Sequence, residues 1–195
     1  MQKRRTQRNT SATSYVSSLP HPCPKKSLSL TTLPNPQNCP SNSTKKTGWC
    51  GIAHGGKMVK DLLLVAWPHE DEVLTSFRWA TDYAMPAVYP GKSTLTQIAS
   101  SVNETNYELV YRCEDCFKWS DGEDEEGGID TSEGSVWLGY AQGREAPENA
   151  ACPDEIELTF HQVGHNTWVA DVEDLVEEGY EDAAKLAKNV VKGDC

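Results

Sequence analysis

The sequence predicts an all-β domain, a sandwich or barrel, that ends in a helical segment. Two observations carry this. From residue 48 onward, short runs of strand composition alternate with turn signals. Across residues 173–192 the apolar period changes to three and four. A third observation divides the chain. Residues 1–46 hold eight of the 18 Lys and Arg and none of the 29 Asp and Glu, so the net charge of −11 joins a basic stretch to a strongly acidic remainder.

Residues 1–46 are rich in Ser, Thr, Pro and Asn and have no apolar periodicity. They bury too little to offset the entropy of ordering. They are expected to be a disordered basic Ser/Pro-rich tail or a mispredicted N-terminus, with the folded domain at 47–195. The basic residues have no interleaved aromatics and no nucleic-acid fold signature. No run approaches the roughly 18 apolar residues of a membrane helix. Neither nucleic acid nor membrane is expected as a partner. The start, Met1 to Arg8, is basic, but no apolar signal-peptide core follows it.

Within the domain, Leu62–Trp67 reads as a buried strand. Val73–Trp79 has strand composition, and Pro68-His69-Glu70-Asp71 before it fits a turn. Tyr107–Tyr111 and Ile156–Phe160 alternate, and Val136–Ala141 and Thr167–Val172 add two more strands. In 173–192, Val176, Tyr180, Ala183, Ala187 and Val190 share a face. Acidic residues lead, Lys185, Lys188 and Lys192 trail, and Gly193 fits a C-cap. The acidic loop Asp121–Gly128 lacks the ligand order of an EF-hand, so a solvated loop is expected.

Seven Cys are present. Cys113-Glu-Asp-Cys116 is a CxxC that admits a local disulfide, redox exchange or half a zinc site. No second CxxC completes a four-Cys zinc site, so a structural disulfide is favoured. Cys152 and Cys195 bracket the last part of the domain and suit a staple for the C-terminal segment. Asn42 and Asn103 begin glycosylation sequons.

The soft-ligand candidates are Met58, after the Gly55-Gly56 turn, and five His. His54 lies four residues before Met58, close enough to approach the same site. His161 and His165 have a spacing that suits zinc on a helix, but Gly164 and the strand-like surroundings argue against one. Alternation places His161 with Glu157 and Thr159, opposite Ile156, Leu158 and Phe160. By periodicity alone Met58 is core packing and His161 a solvent-facing histidine.

The segments Gly48-Trp49-Cys50-Gly51-Ile52-Ala53-His54-Gly55-Gly56-Lys57-Met58, Asp61–Trp67 and Ser76-Phe77-Arg78-Trp79-Ala80-Thr81-Asp82-Tyr83, with Tyr89-Pro90-Gly91 and Arg112-Cys113-Glu114-Asp115-Cys116, keep a common order and spacing. Together they resemble the cytochrome domain of fungal cellobiose dehydrogenase. The resemblance runs from about residue 48 to 195. It implies an immunoglobulin-like β-sandwich holding one non-covalent haem b, with Met58 and His161 as axial ligands, His165 as the competing register, and Tyr83 near the haem propionates. It implies strands ahead of Gly48, where this chain has its basic stretch, so the sandwich is expected to be incomplete on its N-terminal side. Electrons would come from a flavin dehydrogenase and pass to a copper-dependent lytic polysaccharide monooxygenase, outside the cell and close to cellulose. Such a module has no catalytic activity of its own. The alternatives are a haem-free carbohydrate-binding sandwich and a non-functional truncated fragment.

Overall fold

A computed structural model describes residues 14–16, 27–30, 48–103, 107–122, 126–172, 182, 185–186 and 190–195. Strand propensity and turn chemistry divide the central region into β3 (Trp49–Ala53), β4 (Leu63–His69), β5 (Glu72–Trp79), β6 (Ala87–Val88), β7 (Thr94–Val102), β8 (Tyr107–Glu114), β9 (Lys118–Ser120), β10 (Glu126–Gly128), β11 (Ser135–Gly143) and β12 (Gly164–Asp171). Two short strands precede them, β1 (Ser14–Val16) and β2 (Ser27–Leu30). The larger sheet has the order β12-β11-β3-β4-β5-β6, and the smaller β1-β2-β8-β7, with β9 and β10 forming a separate pair. All strand pairs are antiparallel.

The two sheets face each other as a sandwich. Cys50, Ile52, Leu64, Ala66 and Leu138 of the larger sheet meet Tyr107, Leu109, Tyr111 and Cys113 of β8 in one buried cluster. Full burial of each aliphatic side chain here stabilises the fold by about 1.5–3 kcal/mol. Two polar groups inside this layer are satisfied across it. The Tyr107 hydroxyl donates to the Ala66 carbonyl at 2.8 Å and Gln97 Nε2 donates to the Val73 carbonyl at 2.7 Å. A second cluster, Trp49, Val65, Trp67, Leu74 and Ile156, lies on the opposite, outer face of the larger sheet.

Most expected strands are present with shifted ends. Pro68 and His69 belong to β4 rather than to the turn, which is confined to Glu70 and Asp71. Glu70 takes the left-handed conformation (φ 54°) that such a two-residue hairpin uses. The expected strand at Ile156–Phe160 is corrected. Among the described residues, the segment touches other strand-like backbone only through an isolated Glu148–Glu157 bridge. Its alternation reflects a coil laid on the outer face, with Ile156 buried and Leu158 packed beside it.

β1 and β2 fall within residues 1–46, the stretch whose composition reads as a tail. They lie along the β8 edge, whereas the sandwich was expected to be incomplete on its N-terminal side. β2 is in register with β8 at Cys113 and Glu114. Most of that stretch, and most of the expected helix at 173–192, lies outside the described residues. Asp182, Lys185 and Leu186 are helical. Cys113–Cys116 and Cys152–Cys195 are disulfides, as expected. Among the described residues, no helix is long and apolar enough to cross a membrane.

Candidate functional site

The outer face of the larger sheet is built in rows, because residues directly opposite in antiparallel pairs point the same way. One row runs His165, Ala141, Gly51, Val65, Ser76. The next runs Thr167, Gly139, Ala53, Leu63, Arg78, Val88. The centre of both rows is glycine and alanine. A Cβ built on Gly51 meets nothing closer than 3.5 Å. The glycine and alanine come from two neighbouring strands, β11 and β3, roughly 4.8 Å apart, and make a shallow floor bordered by Val65 and Leu63 of β4.

Segment 144–163 covers one end of this face. The Trp67 indole donates to the Ala150 carbonyl at 2.9 Å, the buried Arg78 guanidinium donates to the Pro153 carbonyl, and Cys152–Cys195 ties the chain terminus to the segment. Ile156 fills the space over Trp49, Val65, Trp67 and Leu74. The small-residue end is flanked instead by exposed apolar side chains. By register Trp137 (59% exposed), Val169 and Val88 project from the outer face. Exposed Met85 meets the Leu158 amide, and Phe160 (70% exposed) packs on His161. A grouping of this kind marks a binding groove.

Met58 reaches this face from the loop between β3 and β4, where it is half-buried against Ala53, Leu63 and Ala80. The loop is held on all sides. The His54 amide donates to the Leu62 carbonyl at 3.0 Å, closing its base. Asp61, buried, accepts the Gly55 amide at 2.8 Å and the Lys57 amide at 3.1 Å. Burial pushes the Asp61 carboxyl up to about 6 against these N–H bonds, which pull it down. The Lys60 amide donates to the Ala80 carbonyl at 2.8 Å, and Trp119 Nε1 reaches the Lys60 carbonyl at 3.4 Å. Gly56 has φ 87°, and a Cβ on Gly139 would stand 3.0 Å from its carbonyl oxygen. Close approach of loop and strand therefore requires glycine at both positions.

His161 lies near the other end of the floor. Its ring is 4.3 Å from that of His165, which stands opposite Ala141. Burial, and then the neighbouring His165, hold His161 below its ordinary pKa, so it is neutral near pH 7. Its Nδ1 is buried and has no hydrogen-bond partner. The structure thus brings Met58 and the His161–His165 pair to one face of one sheet. The expectation that His161 points to solvent is corrected, since the segment curls over the sheet rather than continuing as a strand.

The remaining expectations divide. Tyr83 stands in the bend after Ala80 and is 88% exposed. The approach of His54 to the Met58 site is corrected. Alternation after Ile52 and Ala53 turns His54 inward, where it is fully buried between the sheets. Two elements of the site were not anticipated, Asp61 and the small-residue floor. The floor had a legible signal, since every second residue is small in Gly51-Ile52-Ala53 and in Gly139-Tyr140-Ala141-Gln142-Gly143.

These residues fit a flat, largely apolar prosthetic group. The floor is flat and small, the rim is apolar, a thioether stands on the same face as a neutral imidazole, and a buried ring nitrogen is unpaired. Thioether and imidazole together are a donor set of haem iron in cytochromes.

The family model for the cytochrome domain of cellobiose dehydrogenase matches residues 6–182, a range that includes most of residues 1–46. The cytochrome domain of Myriococcum thermophilum cellobiose dehydrogenase is 39% identical, with a TM-score of 0.73 over 85% of each chain. The cytochrome b domain of Coprinopsis cinerea pyranose dehydrogenase is 29% identical, with a TM-score of 0.64 over 86% of this chain and 77% of that one. A curated relative, the pyrroloquinoline quinone-dependent pyranose dehydrogenase of Coprinopsis cinerea, is 40% identical over 94 residues, which are 48% of this chain and 12% of the relative. Membership implies haem binding and is consistent with an electron-transfer module. By sequence and by strand architecture, this chain belongs to the family of cytochrome domains of cellobiose dehydrogenase.

Proposed function

We propose that the outer face holds one haem b between Met58 and His161, and that the domain passes single electrons from a dehydrogenase to an external acceptor. The observation that carries this reading is the small-residue floor with Met58 and His161 on the same face. A haem bound there would supply a one-electron couple, and Met58 and His161 would hold it through thioether and imidazole, a donor pair that raises the potential. The chain's own residues do the rest. Asp61 and the Lys60–Ala80 bond hold the Met58 loop in place. Leu63, Val88, Trp137 and Val169 supply low-dielectric walls, which limit solvent reorganisation when charge changes. His161 is kept neutral and offers a lone pair. Tyr83, exposed, is the residue we assign to a polar edge of the group.

The donor is a flavin dehydrogenase and the acceptor a copper-dependent lytic polysaccharide monooxygenase, with the exchange taking place outside the cell near cellulose. The quinone-dependent relative favours a second reading of the donor, a pyrroloquinoline quinone dehydrogenase. Stopped-flow absorbance decides between them. The haem-loaded chain is mixed with each reduced dehydrogenase and then with the copper enzyme. Fast haem reduction followed by reoxidation by the copper enzyme is expected. A haem that neither dehydrogenase reduces overturns the donor assignment, and one that the copper enzyme leaves reduced overturns the acceptor.

A further inference from the structure

A second group of donors lies between the sheets, away from the outer face. One ring nitrogen of His54 and the Sγ atoms of Cys113 and Cys116 all lie within 4.8 Å of one another, and all three residues are buried. His54 Nδ1 is 2.9 Å from the Leu62 carbonyl oxygen. A carbonyl only accepts, so Nδ1 carries the proton and donates, leaving Nε2 with the lone pair. That Nε2 is buried and has no hydrogen-bond partner. Burial lowers the His54 pKa to about 4, which keeps the lone pair free at neutral pH. A histidine with one nitrogen anchored on a backbone carbonyl and the other bare has the arrangement of a metal ligand with its supporting bond in place.

We infer that His54, Cys113 and Cys116 form a latent site for a soft d10 cation such as Zn²⁺, masked by the disulfide and opened by its reduction. With the disulfide closed, neither sulfur is a thiolate and the site cannot bind. A phosphine or dithiol reductant supplies two electrons. The S–S bond breaks and two thiols form: with a phosphine, water supplies the two protons and the oxygen of the phosphine oxide that leaves; with a dithiol, the reductant supplies both hydrogens and leaves as its own disulfide. Zn²⁺ then displaces both thiol protons and bonds to two thiolates and His54 Nε2, leaving the fourth position to a small exogenous ligand. The spacing is close to what the metal needs. Donors on a tetrahedral zinc stand roughly 3.3–3.8 Å apart, given Zn–N and Zn–S distances of about 2.0–2.3 Å. Opening the S–S bond and drawing the imidazole in by about an ångström completes three positions. The Cys-x-x-Cys spacing is the one structural zinc sites use.

The test uses the full chain, reduced with a phosphine under anaerobic conditions and titrated with Zn²⁺ against a chromophoric chelator, with a parallel Co²⁺ titration. Wild type is compared with His54→Gln and with a Cys113→Ser/Cys116→Ser double variant, which accounts for metal held by the other thiols. Reduced wild type is expected to bind one equivalent more than the double variant, to release about two protons per ion, and to show thiolate-to-cobalt charge-transfer absorption. His54→Gln is expected to weaken binding by more than the roughly 10–100-fold that loss of a supporting partner costs. Oxidised wild type is expected to match the oxidised double variant. Equal stoichiometry in reduced wild type and the double variant overturns the site. Unchanged affinity in His54→Gln also overturns it, by showing that the cysteines bind without the buried histidine, as an unfolded chain would.

Discussion

Replacing Asp61 by Asn tests how the Met58 loop is held and at what cost. Asp61 is buried and its carboxyl is raised from 3.8 to about 6, chiefly by desolvation, with backbone N–H bonds from Lys57 and Gly55 opposing the rise. Because the folded pKa lies above the unfolded one, the associated stability is fully present well below about pH 4 and is lost as pH rises through about 6. Two units at about 1.4 kcal/mol each make this loss about 3 kcal/mol. Asn cannot titrate, so the variant lacks the slope, while other groups contribute alike to both proteins. Urea unfolding of wild type and Asp61→Asn at pH 4, 5, 6 and 7 gives the stability difference directly. Wild-type stability relative to the variant should fall by about 2.4 kcal/mol between pH 4 and pH 7, since about 0.5 kcal/mol of the loss has already occurred at pH 4. A difference constant to within about 0.5 kcal/mol, the usual scatter between independent sites, or one that rises with pH, would refute the reasoning.

Gly51→Leu should lower haem affinity by at least about tenfold, read by haem titration, because the side chain rises from the floor of the groove. Its Cβ meets only ordinary contacts, so the thermal midpoint of the haem-free chain should change by no more than about 4 °C, the shift that roughly 1 kcal/mol produces. Gly139→Ala should instead destabilise the fold by about 1–3 kcal/mol in urea, since its Cβ meets the backbone of Gly56. Cys152→Ser opens a disulfide of sequence separation 43 and should cost about 4 kcal/mol by loop-closure entropy, measured as the shift in urea midpoint against wild type.

The β-sandwich was legible because its inner strands obey local rules. Leu62–Trp67 is apolar throughout because β4 is buried on both faces, between the sheets and beneath Ile156. β7 was not anticipated. Its polar Thr94-Leu95-Thr96-Gln97 start and Ser100-Ser101 end match a half-exposed strand interrupted by a bulge between Gln97 and Ala99. Ile156–Phe160 misled for the converse reason. A coil lying on a sheet can alternate apolar and polar residues without ladder hydrogen bonds. Met58 and His161 were named through the family resemblance, because periodicity reads one as core and the other as surface. His54 shows the limit most plainly. Its distance from Met58 along the chain is short, yet one residue of strand alternation puts it on the other side of the sheet.

The central claim is the ligand pair, and its most direct measurement is the absorption spectrum of the haem-loaded chain in both oxidation states. The account predicts a six-coordinate low-spin spectrum in wild type. It predicts loss of that spectrum in Met58→Ala and in His161→Ala, and its retention in His165→Ala. A low-spin spectrum that survives removal of Met58 or His161, or that is lost with His165 alone, would contradict it.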